Sequence, residues 1–363
     1  MRDISDLRQR QALPLNAKVL MSQVRIREWY NHWNGDVYIS FSGGKDSTVL
    51  AHLVHDIYPD VPLVFVNTGL EYPEIQSFAR KMGAEFVRPK MQFSEVISKY
   101  GYPIISKEVA QSVEEARVHT DGHNAWTKRK EFLGIRTNPK TGKLSPFQKP
   151  KYLPLVRDTQ FKISSCCCDA MKKSPIKAYQ RRTKRYPFIG TLTDEGRLRE
   201  QAWLKHGCNA YEGEKSSQPM SFWKEQDVLQ YIKDNGIEIA SVYGDIVSTD
   251  KDGFGYDALP GCDCNLKCTG CQRTGCIFCG FGVHLDGRLK RLADTHPKQF
   301  EYCMRGGQWV DNPNYDESLP EYSNEWKHWN PKKIWVPSKQ GLGMKKVFDD
   351  CNQIYGKDFI RYE

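Results

Sequence analysis

The sequence predicts an α/β fold, a doubly wound and mostly parallel sheet, followed by a cysteine-rich metal-binding segment and a C-terminal appendage of helix and irregular chain. Three observations predict it. Short β-rich runs alternate with runs of helical period between residues 37 and 88. The first strand passes into its helix through a glycine-rich turn, Ser42-Gly43-Gly44-Lys45-Asp46-Ser47. Cysteines crowd into two stretches, around 166–168 and 262–279.

Taken in order, 16–34 reads as an amphipathic helix, with Val19, Ile26, Tyr30 and Trp33 on one face, Asn16 as N-cap and Gly35 as stop. Val37-Tyr38-Ile39-Ser40-Phe41 reads as a buried strand. After the glycine turn, 48–58 is apolar at helical spacing and ends before Pro59. A second strand at 62–67, a second helix at 73–82 and a short strand at 85–88 complete a β-α-β-α-β series. Residues 104–132 read as helical and charged, 136–163 as a long loop, 188–190 as a strand end, and 226–235 as a helix. The tail mixes a helix near 295–305 with an aromatic, proline-rich stretch. The expected organisation is a helical segment at 1–36, a nucleotide-binding domain at 37–247, a cysteine-rich segment at 248–282 and the appendage at 283–363.

Composition narrows the class. With 363 residues, 39% hydrophobic and 27% charged, the chain can bury a sizeable core. Its charged opening does not read as a signal peptide, and its longest apolar run, near 61–66, is far too short to cross a bilayer. A soluble, cytoplasmic protein with no membrane partner is expected. Net charge is +9, and Lys and Arg concentrate in 172–205, which suits phosphate-bearing partners, a nucleotide or a nucleic acid. Twelve cysteines without a secretory signal read as metal ligands or redox groups rather than a disulfide framework.

The 42–47 turn is a physically complete anion site. Gly43 and Gly44 let amides approach phosphate oxygens with no Cβ in the way. The helix that follows adds its dipole and free N–H groups. The Ser42 and Ser47 hydroxyls add donors, and Lys45 adds a point charge. Asp46 suits a phosphate-bound Mg²⁺. The Walker A spacing is absent.

These residues resemble the PP-loop of the ATP-pyrophosphatase group (adenine nucleotide alpha hydrolase-like, with a Rossmann-like sheet). The S-G-G-K-D-S form is that of the phosphoadenosine phosphosulfate (PAPS) reductase-like family. Asn67-Thr68-Gly69-Leu70-Glu71-Tyr72-Pro73-Glu74 resembles the family's second motif, and 219–232 resembles its P-x-x-x-W-x-x-x-D-V-x-x-Y-I segment. The resemblance implies an enzyme that binds ATP or adenosine phosphosulfate. Ser42, Gly43, Gly44, Lys45, Asp46, Ser47, Asn67, Thr68, Gly69 and Glu71 would line the pocket, with Lys45, Asp46 and Lys172 in catalysis.

Cys167 and Cys168 together with Cys276-Ile277-Phe278-Cys279 offer four thiolates, enough for a [4Fe–4S] cluster or for zinc. The resemblance favours iron–sulfur, because 167–176 fits the C-C-x-x-x-K-x-x-P-[LI] pattern of adenosine phosphosulfate (APS) reductases, with Lys172 at its lysine. Cys262, Cys264, Cys268 and Cys271 form a possible second site. Cys208, Cys303 and Cys351 read as packed thiols.

The chain also departs from the family. Leu192 stands where the family's G-x-R-x-x-E-S carries arginine and Gly196 where it carries serine, with Arg197 or Arg199 as substitutes. The E-C-G-L-H tail is missing, and Cys351 lies beside Asp350 instead. Two enzymatic expectations follow. One is a sulfonucleotide reductase served by an electron-donor protein. The other is an ATP-using enzyme that adenylates a tRNA or DNA for sulfur insertion from a sulfur donor. A non-catalytic nucleotide-sensing module is the third.

Overall fold

The computed structural model describes residues 3–118, 122–249, 265–285, 287–320 and 328–362. The chain forms two compact units, each built from two stretches. The first comprises 1–89 and 174–276, the second 90–173 and 277–363.

The first unit holds a six-stranded sheet. In chain order its strands are β1 (Val37–Phe41), β2 (Leu63–Val66), β3 (Glu85–Val87), β4 (Tyr186–Ile189), β5 (Asn209–Ala210) and β6 (Ser216–Ser217). Their spatial order is β3-β2-β1-β4-β6-β5. All pairings are parallel except the β5–β6 edge. The expected mostly parallel α/β sheet is therefore what the chain builds. Central β1 pairs on both sides, with Ile39 opposite Leu63 and Phe188, and four of its five side chains are buried. This explains its unbroken apolar run.

The strand order reverses between β1 and β4. Crevices at the carboxyl ends of such switch points take ligands. The 42–44 turn leaves β1 at this end, and Gly190 leaves β4 beside it.

The amphipathic N-terminal helix runs Leu15–His32. Its N-cap is Pro14, not Asn16, whose Oδ1 accepts from the adjacent Ala17 amide. Of the expected face only Ile26 is buried; the helix buries Lys18, Ser22 and Trp29 beside it, leaving Val19, Tyr30 and Trp33 half-buried, and Lys18 pairs with Asp227 at 2.6 Å. The expected 226–235 helix runs Glu225–Asp234 and packs on the helix that follows the glycine turn.

In the second unit, the expected long helix over 104–132 is interrupted. Ile104–Ile105 pairs in parallel with Gly280–Phe281. Helices then run Lys107–Ala116 and His123–Phe132 and pack on each other. Ser106 starts the first by accepting from the Val109 amide, a local N-cap that overrides any longer helix. The stretch read as a loop carries a short helix, Leu153–Arg157.

Buried Arg117 ties this region together. It donates to the carbonyls of Val156, Phe161, Leu155 and Thr159 and to the Thr159 hydroxyl, and its guanidinium lies 4.2 Å from the Trp329 ring centroid. Burial pulls its pKa down to about 9, which leaves it a cation at neutral pH. The tail helix predicted near 295–305 runs Pro297–Met304 and is preceded by another, Arg288–Thr295. No helix among the described residues is long and apolar enough to cross a membrane.

Candidate nucleotide site

The helix after the turn begins at Lys45, ahead of the expected start, and runs to His55. Gly44 is its N-cap. The amides of Lys45, Asp46 and Ser47 are therefore first-turn donors facing out of the helix N-terminus. Gly43 has φ +70°, and a Cβ there would meet the Ile75 side chain at 2.8 Å. Both constraints require glycine.

The two serines close the loop on itself. Ser47 Oγ donates to the Gly44 carbonyl at 2.9 Å and lies 3.0 Å from Ser42 Oγ, which accepts from the Gly44 amide. Gly190 presses against the loop from β4. A Cβ on it would lie 2.9 Å from the Asp46 carbonyl oxygen and 3.1 Å from the Ser47 nitrogen.

Lys45 is only 5% exposed and reaches Glu225, which is 50% exposed, at 3.0 Å. Its ammonium also lies 5.6 Å from the Tyr243 ring centroid. The Tyr243 and Thr274 hydroxyls bond to each other and stand over Gly44. Burial pushes the Asp46 carboxyl above its ordinary range. Lys45 opposes the shift, Glu225 adds to it, and Arg273 and Arg199 oppose it. Both arginines also pair with Glu195. Of the residues considered as substitutes for the family arginine, Arg199 lies in the field of Asp46, while Leu192 is buried.

The 67–74 segment forms the turn after β2. Thr68 donates through its hydroxyl to Glu71 Oε1 at 2.6 Å and through its amide to Oε2 at 3.1 Å. Asn67 Oδ1 accepts from the Gly69 amide. Glu71 thus shapes this turn. Gly69 is exposed at φ +75°, and a Cβ on it would have nothing within 4 Å, which leaves open space on that side of the turn. Pro73 then opens a helix running to Lys81.

Sequence reading gave Tyr243, Thr274, Arg273 and Glu225 no part in the loop, and it took Gly190 only as a strand end and the start of the 190–196 stretch. Glu225 lies inside the 219–232 segment, and all five are distant in the chain from residues 42–47.

The thiols divide among these surroundings. Cys167 and Cys168 approach at 3.9 Å, and Asp169–Lys173 continues from them as a π-helical turn. Cys168 is drawn down to about 6 by its contact with Cys167, against burial, with Lys107 and then Lys172 assisting. Lys172 is exposed, and Lys107 is the cation that sequence reading overlooked here. Tyr102 pairs in parallel with Ile163, and Ile104 with Gly280. One segment, 102–105, therefore has the Cys167–Cys168 pair just beyond one flank and Cys279 beside the other. Cys276 ends the first unit. Cys166 points instead at Glu114, 3.7 Å away.

Among the described residues no three His, Cys, Asp or Glu side chains stand together as a metal-holding group. Of the second cysteine set, Cys262 and Cys264 lie outside the described residues, and Cys268 and Cys271 are buried thiols. Cys351 is buried, and burial, then Asp350, pushes it up to about 12. Cys303 is buried 3.4 Å from the Met344 sulfur, and Cys208 accepts from Ser221.

A glycine turn that opens a helix at the switch point of a mostly parallel sheet defines an α/β protein with a loop of the phosphate-loop type. The chain belongs to the phosphoadenosine phosphosulfate reductase domain family, whose model matches residues 36–280. It is similar to an uncharacterized protein of Methanocaldococcus jannaschii, 23% identical over 323 residues, covering 88% of this chain and 58% of that protein. The chain thus spans little more than half the length of that relative. It is also similar to the adenosine 5'-phosphosulfate reductase of Staphylococcus haemolyticus, 25% identical over 183 residues, covering 46% of this chain and 74% of that one. A solved structure, the phosphate complex of phosphoadenylyl-sulfate reductase from Candida auris, aligns at 14% identity and a TM-score of 0.35, covering 61% of this chain and 82% of that one.

Proposed function

We propose that the chain is an enzyme that seats an adenosine phosphosulfate in the 42–47 loop and reduces or transfers its sulfur. The observation that carries this reading is the loop itself. Three first-turn amides, buried Lys45 and half-buried Asp46 converge where β1 and β4 part. The amides and Lys45 bind the phosphate oxygens. Asp46 would hold a Mg²⁺ bound to those oxygens, and its raised pKa marks a carboxylate whose charge the fold leaves undercompensated until a cation arrives. Arg199 and Arg273 add positive charge toward the far end of the anion.

The family reading implies a [4Fe–4S] cluster. The donor chemistry fits, because Cys168 beside Cys167 is already drawn toward the thiolate. Cys167, Cys168, Cys276 and Cys279 would hold the cluster, which supplies local electrostatic or redox character. Zinc on the same thiolates is the alternative. Lys107 and Lys172 stabilise the thiolate charge there. Cytoplasmic residence and an electron-donor protein accompany this reading.

A second reading is favoured by a specific observation. Cys351 is buried, and burial pushes its thiol up to about 12, which makes it a poor attacking thiolate. In this reading the same loop binds ATP and Mg²⁺ and activates an oxygen of a nucleic acid, tRNA or DNA, for displacement by sulfur.

Product analysis separates the two. Anaerobically purified protein is given ATP and Mg²⁺, or APS or PAPS with a thiol reductant. Sulfite supports the first reading and pyrophosphate the second. Neither product from folded, metal-loaded protein rejects both. Visible iron–sulfur absorbance that vanishes in Cys167→Ala/Cys276→Ala supports the cluster, whereas colourless protein carrying stoichiometric zinc rejects it.

A further inference from the structure

The lysines and arginines at 172–205 drew attention in the sequence, but several of the described ones meet acids. Arg182 pairs with Glu85, Lys173 with Asp169, and Arg199 with Glu195. A second basic stretch lies in the other unit. Between residues 123 and 152 the chain has eight Lys and Arg and a single acid, Glu131.

Glu131 is buried and ion-paired with Arg136 at 2.8 Å, Lys149 at 3.3 Å and Lys128 at 3.5 Å. Arg129 is buried too and donates to backbone carbonyls of Ala116 and Val118. Four cations remain: Lys130, Lys140, Lys143 and Lys151. None of these pairs with a carboxylate among the described residues.

Their setting is built. Thr137 bridges Leu144, the Asn138 amide donates to the Lys143 carbonyl at 2.7 Å, and the Asn138 side chain accepts from the Lys140 amide at 2.8 Å. Lys140 and Lys143 therefore ride on a closed hairpin. Arg136, at its base, is tied to Glu131 of the His123–Phe132 helix, and the Lys149 amide donates to the Glu131 carbonyl. Helix, closed turn and returning segment form one block.

Aromatic rings stand in the open on that block. Trp126 is 50% exposed and Phe147 67%. Lys130 lies 4.8 Å from the Trp126 ring centroid, and Lys151 lies 4.8 Å from that of Tyr152. Unpaired cations alone would attract any polyanion. Exposed rings beside them select one whose repeating unit has a flat face to stack and a phosphate to pair. In a duplex those faces are hidden, so the fitting partner is a single strand.

We infer that the 123–152 block is a binding surface for single-stranded nucleic acid, with Trp126 and Phe147 as base-stacking platforms and Lys130, Lys140, Lys143 and Lys151 as phosphate contacts. This surface is independent of the phosphate-loop reading.

The test is fluorescence anisotropy with a labelled oligothymidylate of about 15 nucleotides, near the upper site size of a single binding fold. The full chain is titrated at several salt concentrations, and circular dichroism confirms that each variant is folded. Binding is expected to weaken as salt rises. Lys140→Gln/Lys143→Gln should reduce the log–log salt slope by about 1.4, since each single-strand phosphate contact contributes about 0.7. Trp126→Ala/Phe147→Ala should weaken binding about tenfold or more and leave that slope unchanged. ATP titration of the same variants should match the unmodified chain, which separates failure here from failure of the loop.

The inference is overturned if the oligonucleotide does not bind at low salt, or if both variants bind it like the unmodified chain. It is also overturned if polyglutamate competes as well as the oligonucleotide, which would show a surface for acidic polypeptides. A duplex bound as tightly as the single strand, with the aromatic variant unaffected, overturns it as well.

Discussion

Replacing Gly190 by alanine adds one methyl group at the tightest point behind the nucleotide loop. That carbon would lie 2.9 Å from the Asp46 carbonyl oxygen, 3.0 Å from its carbon and 3.1 Å from the Ser47 nitrogen. All three are backbone atoms of the first helical turn, so no side chain can swing aside. Relief to ordinary contact distance requires the turn, or the end of β4, to move by roughly half an ångström, at an overpacking cost of about 1–3 kcal/mol. Backbone strain plays no part, because Gly190 lies outside the left-handed region. The amides that move are the proposed phosphate donors, and misplacement on this scale costs about tenfold in affinity, or about 1.4 kcal/mol. Urea unfolding reads the first effect and calorimetric titration with ATP or PAPS the second. Gly275→Ala is the control, since nothing lies within 4 Å of its added carbon, and it should stay within about 0.5 kcal/mol of the unmodified chain. A Gly190→Ala protein with unchanged stability and unchanged nucleotide affinity would refute the packing argument.

Three further outcomes are expected. Asp46→Asn should abolish Mg²⁺-dependent nucleotide binding yet stabilise the ligand-free protein at neutral pH. With the folded pKa above the unfolded one, stability falls as pH rises from the unfolded carboxylate range through the folded pKa, so the variant's advantage in thermal melts should grow over that window and vanish below it. Glu225→Gln should tighten ATP binding at low salt, because Lys45 no longer divides its charge between phosphate and a carboxylate 3.0 Å away, and should change stability by less than about 1 kcal/mol, given how exposed Glu225 is. Weaker binding would count against Lys45 as a phosphate ligand. Arg117→Met should destabilise the protein by about 3 kcal/mol or more in urea melts by orphaning buried carbonyls, and Arg117→Lys should recover only part of this, because an ammonium lacks the guanidinium fork. Full recovery by lysine would show that charge alone matters there.

The 42–47 loop was legible in the sequence because its determinants are local. A left-handed glycine, a capping glycine and a helix start act over six consecutive residues. The 67–74 turn was legible for the same reason, since Thr68 and Glu71 bond to each other. The Cys167–Cys168 pair is local as well. The strand–helix alternation up to residue 88 gave the parallel sheet, because a strand buried on both faces must read as an unbroken apolar run.

Tertiary structure alone decided what surrounds the loop. Glu225 reaches Lys45 across 180 positions of sequence. Tyr243, Thr274 and Arg273 arrive from yet further along the chain, and no periodicity links them to the loop. The same holds for lysine charge. Sequence counts cations, but whether one is neutralised depends on which carboxylate the fold brings within about 4 Å, where Coulomb attraction and desolvation are settled. That is why Arg182 ends in an ion pair while Lys140 and Lys143 stand open on their hairpin.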